Sequence, residues 1–322
     1  MCEPSPSDGI TNVVFAHTSD NLLVSSWDKM VRVYDGGKNE LRGKFEQKAA
    51  LLDCAFSDDD QNCFVGSVDK SVSMIDLKTG VSTVLGQHEK AVKTVNFNTT
   101  HNIAISGSWD SSINVWDPRV SKASVAAYVQ KNKYKVYTMD TVGQRLVVGY
   151  SQRQVLIFDL RQLSNPEQTR ESSLMNQTRC IRCSPDGEGY ALSSIEGRVA
   201  IEYFDPSPKV QKKKYAFKCH RKTAGKTQTL YPVNAIAYHN LGTFATGGCD
   251  GFVNVWDGNN KKRICQYPAY PTSIASLAFN QSGTLLAVAS SYTFEEGEKD
   301  HPPDSVFVRS INDHEVRPKA VK

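Results

Sequence analysis

The chain has 322 residues, 39% hydrophobic and 22% charged, with a formal net charge of +4, the composition of a soluble globular body that buries roughly three quarters of its unfolded surface. Its start, Met1-Cys2-Glu3-Pro4-Ser5-Pro6, lacks a basic region followed by an apolar run, and no stretch approaches the roughly 18 apolar residues of a membrane span, so the sequence predicts neither a secreted nor a membrane-spanning protein. Its eight cysteines are then expected in a reducing compartment, with Cys54, Cys63, Cys180 and Cys249 acting as small hydrophobes within apolar strand patterns.

Taken in chain order, a short apolar strand pattern recurs seven times, running into a turn of small residues with an acid and on to a third strand that often closes in aromatic-Asp. Closing aspartates fall at Asp35, Asp76, Asp117, Asp159, Asp205 and Asp257, at spacings of 41, 41, 42, 46 and 52 residues. In the third copy Val92 to Asn98 alternates, Asn102 to Ser108 follows a polar turn, and Ile113 to Trp116 follows Asp110-Ser111-Ser112, which reads as three antiparallel strands. A fourth, more polar strand is expected between copies, and Lys212 to Lys218 fits that role for the fifth. The sixth copy runs from Thr246-Gly247-Gly248-Cys249-Asp250-Gly251 to Trp256-Asp257, and the seventh, Ser273 to Ile311, lacks the closing acid.

This pattern resembles WD40 repeats, whose period is about 40–45 residues with four strands per blade. The predicted fold is therefore all-β, a seven-bladed WD40 β-propeller over residues 1–322 as a single unit, because a repeat array forms one continuous body. The resemblance implies a hydrogen-bonded network of His88, Ser106 or Ser108, Asp110 and Trp116 in the third copy. Gln152 and Glu196 stand where that acid falls in other copies, and Tyr34, Ile75, Phe158 and Phe204 replace the tryptophan. Closure of the ring is left open. Only about ten residues, with Pro4, Pro6 and Gly9, precede the first strand, so either Glu315 to Lys319 supplies a fourth strand to the last blade or that blade has three.

The charge is local. Residues 206–232, the insertion between the fifth and sixth repeats, carry Lys209, Lys212, Lys213, Lys214, Lys218, Arg221, Lys222 and Lys226 without an acid, leaving 30 basic against 34 acidic residues elsewhere. Nucleic acid is not the favoured partner, since Tyr215 and Phe217 alternate with lysines at strand spacing rather than forming a stacking platform. Catalytic and metal motifs are poorly matched. The three-residue offset of Cys180 and Cys183 puts the thiols on opposite faces of a strand. Ala224-Gly225-Lys226-Thr227 lacks the upstream glycine of a phosphate loop, Asp58-Asp59-Asp60 lacks the glycine and glutamate of a calcium loop, and His88-Glu89 has no second histidine. The sequence predicts no enzyme, no cofactor and no metal site.

In a four-stranded meander the start of the first strand, the turn between second and third, and the end of the fourth share one edge. For the fifth blade those places are Arg179, Arg198 and Lys218, followed by Arg221, Lys222 and Lys226. The same face receives Trp27 and Trp109, and aromatic plus arginine is the composition of interface hot spots. Such a rim suits carboxylate or phosphate on a peptide.

The stretches from Glu171 to Leu174, Gln177 to Arg182 and Leu192 to Ala200, then Asp205 to Pro208, Lys212 to Arg221 and Tyr270 to Phe279, resemble the spindle-checkpoint Bub-type WD40 propellers. The resemblance implies a non-enzymatic mitotic adaptor. It would bind the GLEBS motifs of checkpoint kinases or pseudokinases, dock them on phosphorylated MELT-type repeats of a kinetochore scaffold, and so act indirectly on inhibitors of the anaphase-promoting complex, in the nucleus, at kinetochores in mitosis and in the cytoplasm. By position, Arg179, with Trp27 and Trp109, would serve the GLEBS peptide, and Arg198, Lys212, Lys213, Lys214 and Lys218 the phosphopeptide. The alternative is the sister propeller of mRNA export, which grips the GLEBS motif of a nucleoporin.

Overall fold

A computed structural model describes residues 1–120 and 124–319. It is a seven-bladed β-propeller whose innermost strands are Ile10–Phe15, Leu51–Phe56, Val92–Asn98, Val136–Val142, Thr178–Cys183, Val233–Tyr238 and Ile274–Phe279. Six sheets have four antiparallel strands in sequence order; the seventh has three, Ile274–Phe279, Leu285–Ser290 and Ser305–Ser310. A two-stranded hairpin, Arg221–Ala224 with Thr227–Leu230, stands between the fifth and sixth blades and accounts for the longest repeat spacing.

The core is not central. Seven apolar clusters each lie between two neighbouring blades, as in Phe64, Val92, Phe97 and Trp116 between the second and third. The second strand of each blade is buried almost throughout, as in Asn21–Ser26 and Arg145–Tyr150, whereas the innermost strands set polar residues such as Asp53, Lys93 and Arg179 among their apolar ones. The small residue of the repeat signature has a steric cause: a Cβ on Gly107 would lie 2.7 Å from Val136 Cγ1, and one on Gly66 2.7 Å from Val92 Cγ1. These glycines stand next to last in the second strand, against the next blade's first strand.

The ring closes between the seventh and first blades through Ile10, Val13, Phe15, Ala287, Ala289 and Val306. The Ile10 N–H donates to Ser291 Oγ at 2.9 Å, and Ser276 Oγ donates to Asn12 Oδ1 at 2.7 Å. Of the two arrangements left open by the sequence, the seventh blade keeps three strands. The tail does not join it: Asp313–Val316 is a short helix packed on the sixth blade, where Thr243 Oγ1 donates to the Val316 carbonyl at 2.7 Å. Beside the third strand of the last blade, the Cys2 N–H donates to the Val306 carbonyl at 2.8 Å.

Candidate functional site

Each blade's first strand carries a bulge at its second residue, shown by a register shift against the second strand. A bulge re-aims one side chain without ending the strand, and here the extra residues turn to the central channel: Thr11, Leu52, Lys93, Tyr137, Arg179, Asn234 and Ala275 all line it. One step further in, Asp53 accepts from Asn12 Nδ2 at 2.6 Å and from the Val95 N–H at 2.9 Å, tying the first three blades together. Asp140 likewise accepts from Asn96 Nδ2 at 3.1 Å and the Cys183 N–H at 2.7 Å. Burial pushes both carboxyls up in pKa, opposed by Lys93 at Asp53 and by Arg182 at Asp140. Burial also pushes the Lys93 ammonium down; Asp53 opposes that shift and the like charge of Arg179 adds to it.

Arg179 is half-buried in this wall and its Nε has no hydrogen-bond partner. A guanidinium can pair bidentately with a carboxylate. The register places its neighbour Thr178 opposite Ser194, beside the turn that leads to Arg198, and Arg198 is opposite Lys218 in the next ladder. The three basic residues therefore share one edge of the fifth blade. Trp27 and Trp109 occupy the second-to-third turns of the first and third blades, on the same face; Trp27 is 46% exposed, and Lys135 Nζ lies 5.8 Å from the Trp109 ring.

Beyond Lys218 a groove opens between the fifth and sixth blades, lined among others by Lys218, Arg221, Lys222, Tyr231 and Arg263. Arg221 is anchored there, donating from Nη2 to the Gly197 carbonyl at 2.7 Å and from Nη1 to Gln228 Oε1 at 3.1 Å. Lys218 and Lys222 are exposed. The acid of this groove, Asp250, is engaged by His220 Nδ1 at 2.8 Å, so the positive groups dominate what a ligand meets.

Two blades carry an imidazole network. In the third, Trp116 Nε1 donates to Ser106 Oγ at 2.8 Å, Ser106 meets His88 Nε2 at 2.7 Å, and His88 Nδ1 lies 2.6 Å from Ser112 Oγ and 3.4 Å from Asp110. A single ring proton on Nδ1 satisfies every link. In the sixth, Trp256, Thr246, His220 and Asp250 repeat the chain at 2.9, 2.8 and 2.8 Å. The first blade has no such histidine: buried Arg32 pairs with Asp28 at 2.5 Å instead.

A family model described as WD domain, G-beta repeat, matches residues 3–35 and 214–257, and one described as nucleolar protein 10-like, N-terminal domain, matches residues 49–199. The chain is 56% identical over 319 residues to mitotic checkpoint protein BUB3.1 of Arabidopsis thaliana, covering 98% of this chain and 93% of that protein. It is 43% identical to mitotic checkpoint protein bub-3 of Caenorhabditis elegans over 92% and 89% of the two chains. The chain belongs to the Bub3 family of mitotic checkpoint proteins. A poly(A)+ RNA export protein of Schizosaccharomyces pombe is 32% identical over 98% of this chain and 92% of its own.

Within this Bub3-family propeller, Arg179, Arg198, Lys218, Trp27 and Trp109 lie on one face, and Lys212, Lys213 and Lys214 do not. The three lysines follow the helical turn Pro208–Gln211 and precede the strand Tyr215–Lys218. That strand runs across the blade, so at about 3.3 Å per residue Lys214 starts roughly 13 Å from Lys218, at the opposite edge. Lys213 there lines a separate cleft with Glu188 and Tyr203. Proximity in sequence was misleading because four residues of strand are enough to cross the sheet. Sequence reasoning also missed Lys93, Arg263 and the His220 network. His220 precedes its acid by 30 residues where His88 precedes Asp110 by 22, since the hairpin intervenes. The offset of Cys180 and Cys183 does send them to different clusters, one between blades five and six and the other between four and five.

Proposed function

We propose that the protein is a non-enzymatic mitotic checkpoint adaptor. Its channel-mouth face holds a GLEBS peptide of a checkpoint kinase or pseudokinase, with a peptide carboxylate on Arg179 and apolar residues on Trp27 and Trp109. The groove between the fifth and sixth blades reads a phosphorylated MELT-type repeat of a kinetochore scaffold through Arg198, Lys218, Arg221, Lys222 and Arg263. Lys212 to Lys214 take no part. The protein works in the nucleus and at kinetochores in mitosis, and influences inhibitors of the anaphase-promoting complex through the kinases it carries.

The observation that carries this reading is the coincidence of a half-buried arginine with an unpartnered Nε and a cationic groove beside it, on a chain 56% identical to a mitotic checkpoint protein. Phosphate brings nearly two charges and three acceptor oxygens, so the propeller with its GLEBS partner binds phosphorylated MELT peptide at least about tenfold more tightly than the unphosphorylated form. Equal binding by calorimetry overturns the phosphate-reading role. Likeness to an export protein at 32% identity supports the second reading, a nucleoporin GLEBS motif. Purification from dividing cells separates the two, returning checkpoint kinases in the first case and a nucleoporin in the second.

A further inference from the structure

The outer edge of the third blade carries a second basic surface, away from the groove between blades five and six. Residues 118–139 contain Arg119, Lys122, Lys131, Lys133 and Lys135 and no acid. Lys131, Lys133 and Lys135 are exposed on the loop that leads from the blade's fourth strand, Ala126–Val129, onto the channel-mouth face. None of the three forms an ion pair with a described residue.

The strand they continue is itself unusual. Proteins guard edge strands with charge, and five outer strands here obey: Glu40 and Lys44 in the first blade, Arg170 and Glu171 in the fourth, Lys218 in the fifth, Lys262 and Arg263 in the sixth, Arg309 in the seventh. Ala126–Val129 has none, and Val125 and Val129 are 51% and 59% exposed. Blade two's outer strand, Ser82–Gln87, is also uncharged, but it runs into Glu89 as well as Lys90. Only the third blade's neutral edge continues into an unbalanced basic loop.

The backbone of that edge is available. The Gln130 N–H donates inward to the Ser111 carbonyl at 3.1 Å, so the alternation of an antiparallel ladder turns the N–H and C=O groups of Ala127 and Val129 outward. Tyr128 faces the fourth blade, its ring 4.8 Å from Phe158, which leaves Val129 on the opposite side.

We infer that this edge is a docking surface for an acidic, extended segment of a partner protein, which adds as a fifth strand to Ala126–Val129 and sets its carboxylates against Lys131, Lys133 and Lys135. Strand addition supplies main-chain hydrogen bonds with little sequence preference, and the lysines select for acid. No phosphate is required, and the site is independent of the proposed MELT groove.

The test uses the full chain and a fluorescent peptide of alternating Glu and Val. Binding is expected to saturate and to weaken with salt, and the matching Gln–Val peptide is expected not to bind. Ala127→Pro deletes an outward N–H that the ladder does not use, a change an edge strand tolerates. That variant and the double Lys131→Glu, Lys133→Glu variant should each weaken binding at least about tenfold without lowering the Tm or altering phosphopeptide binding; Lys135 is left in place because it lies against Trp109. If the proline variant melts early, a peptide N-methylated on its pairing amides replaces it and should fail to bind. No binding, binding untouched by these changes, or displacement of the peptide by phosphorylated MELT peptide overturns the inference.

Discussion

Arg179 owes its position to the bulge between Thr178 and Cys180; on an unbroken strand it would point between blades. On the proposed reading a peptide carboxylate pairs with its guanidinium. Arg179→Glu should cost the GLEBS peptide about 2 kcal/mol or more, some thirtyfold in Kd by calorimetry, with an unchanged Tm. Asp110 is structural by comparison. Burial pushes its carboxyl up in pKa, but His88, Ser112 and the Glu89 N–H outweigh that and hold it well below the usual carboxylate range. An acid depressed in the native state stabilises at pH above the ordinary carboxylate value of about 4, and that stabilisation is lost as pH falls toward the native value. Asp110→Asn should therefore cost about 1–3 kcal/mol at neutral pH, with the gap to wild type closing in denaturant melts at progressively lower pH. The third-blade network was expected only through the WD40 resemblance, which left Ser106 and Ser108 as alternatives; the hydrogen bonds run through Ser106. Its partner on His220 was not expected, because spacing carries no information across a hairpin of unknown length.

At the scale of elements, the sheets were readable because strand alternation and turn chemistry are local, and the seven inner strands appear where the apolar runs are. Interblade packing is a different matter. Gly107 looks like turn material in sequence, yet its role is to admit Val136 of the next blade, whose Cγ1 would be 2.7 Å from an added Cβ. Gly107→Val should lower stability by about 1–3 kcal/mol through overpacking, measured as a reduced denaturation midpoint with unchanged slope. The tail shows the opposite failure. Residues 313–316 are too short for periodicity to identify a helix, and their place beside the sixth blade depends on contacts such as that from Thr243.

Over the whole molecule, the charge is unevenly spread: an acid-free segment at 206–232 within a chain otherwise carrying 34 acidic against 30 basic residues. The fold divides even that segment, sending Lys218, Arg221 and Lys222 to the groove and Lys212 to Lys214 to the far edge. Binding of phosphorylated MELT peptide should accordingly weaken with salt, by about tenfold for a phosphate held by several exposed cations as ionic strength rises well above physiological. Lys218→Glu with Lys222→Glu should flatten that dependence, whereas Lys212→Glu, Lys213→Glu and Lys214→Glu together should leave it intact, as titrations at several salt concentrations would show.

The sequence by itself determined the repeat, the number of blades and the existence of a basic segment, because period, alternation and composition are written in neighbouring residues. Which charges stand together was decided only by the closed ring. A strand carries its two ends to opposite faces within a few residues, and a bulge turns one side chain into a channel that exists only once all seven blades have met.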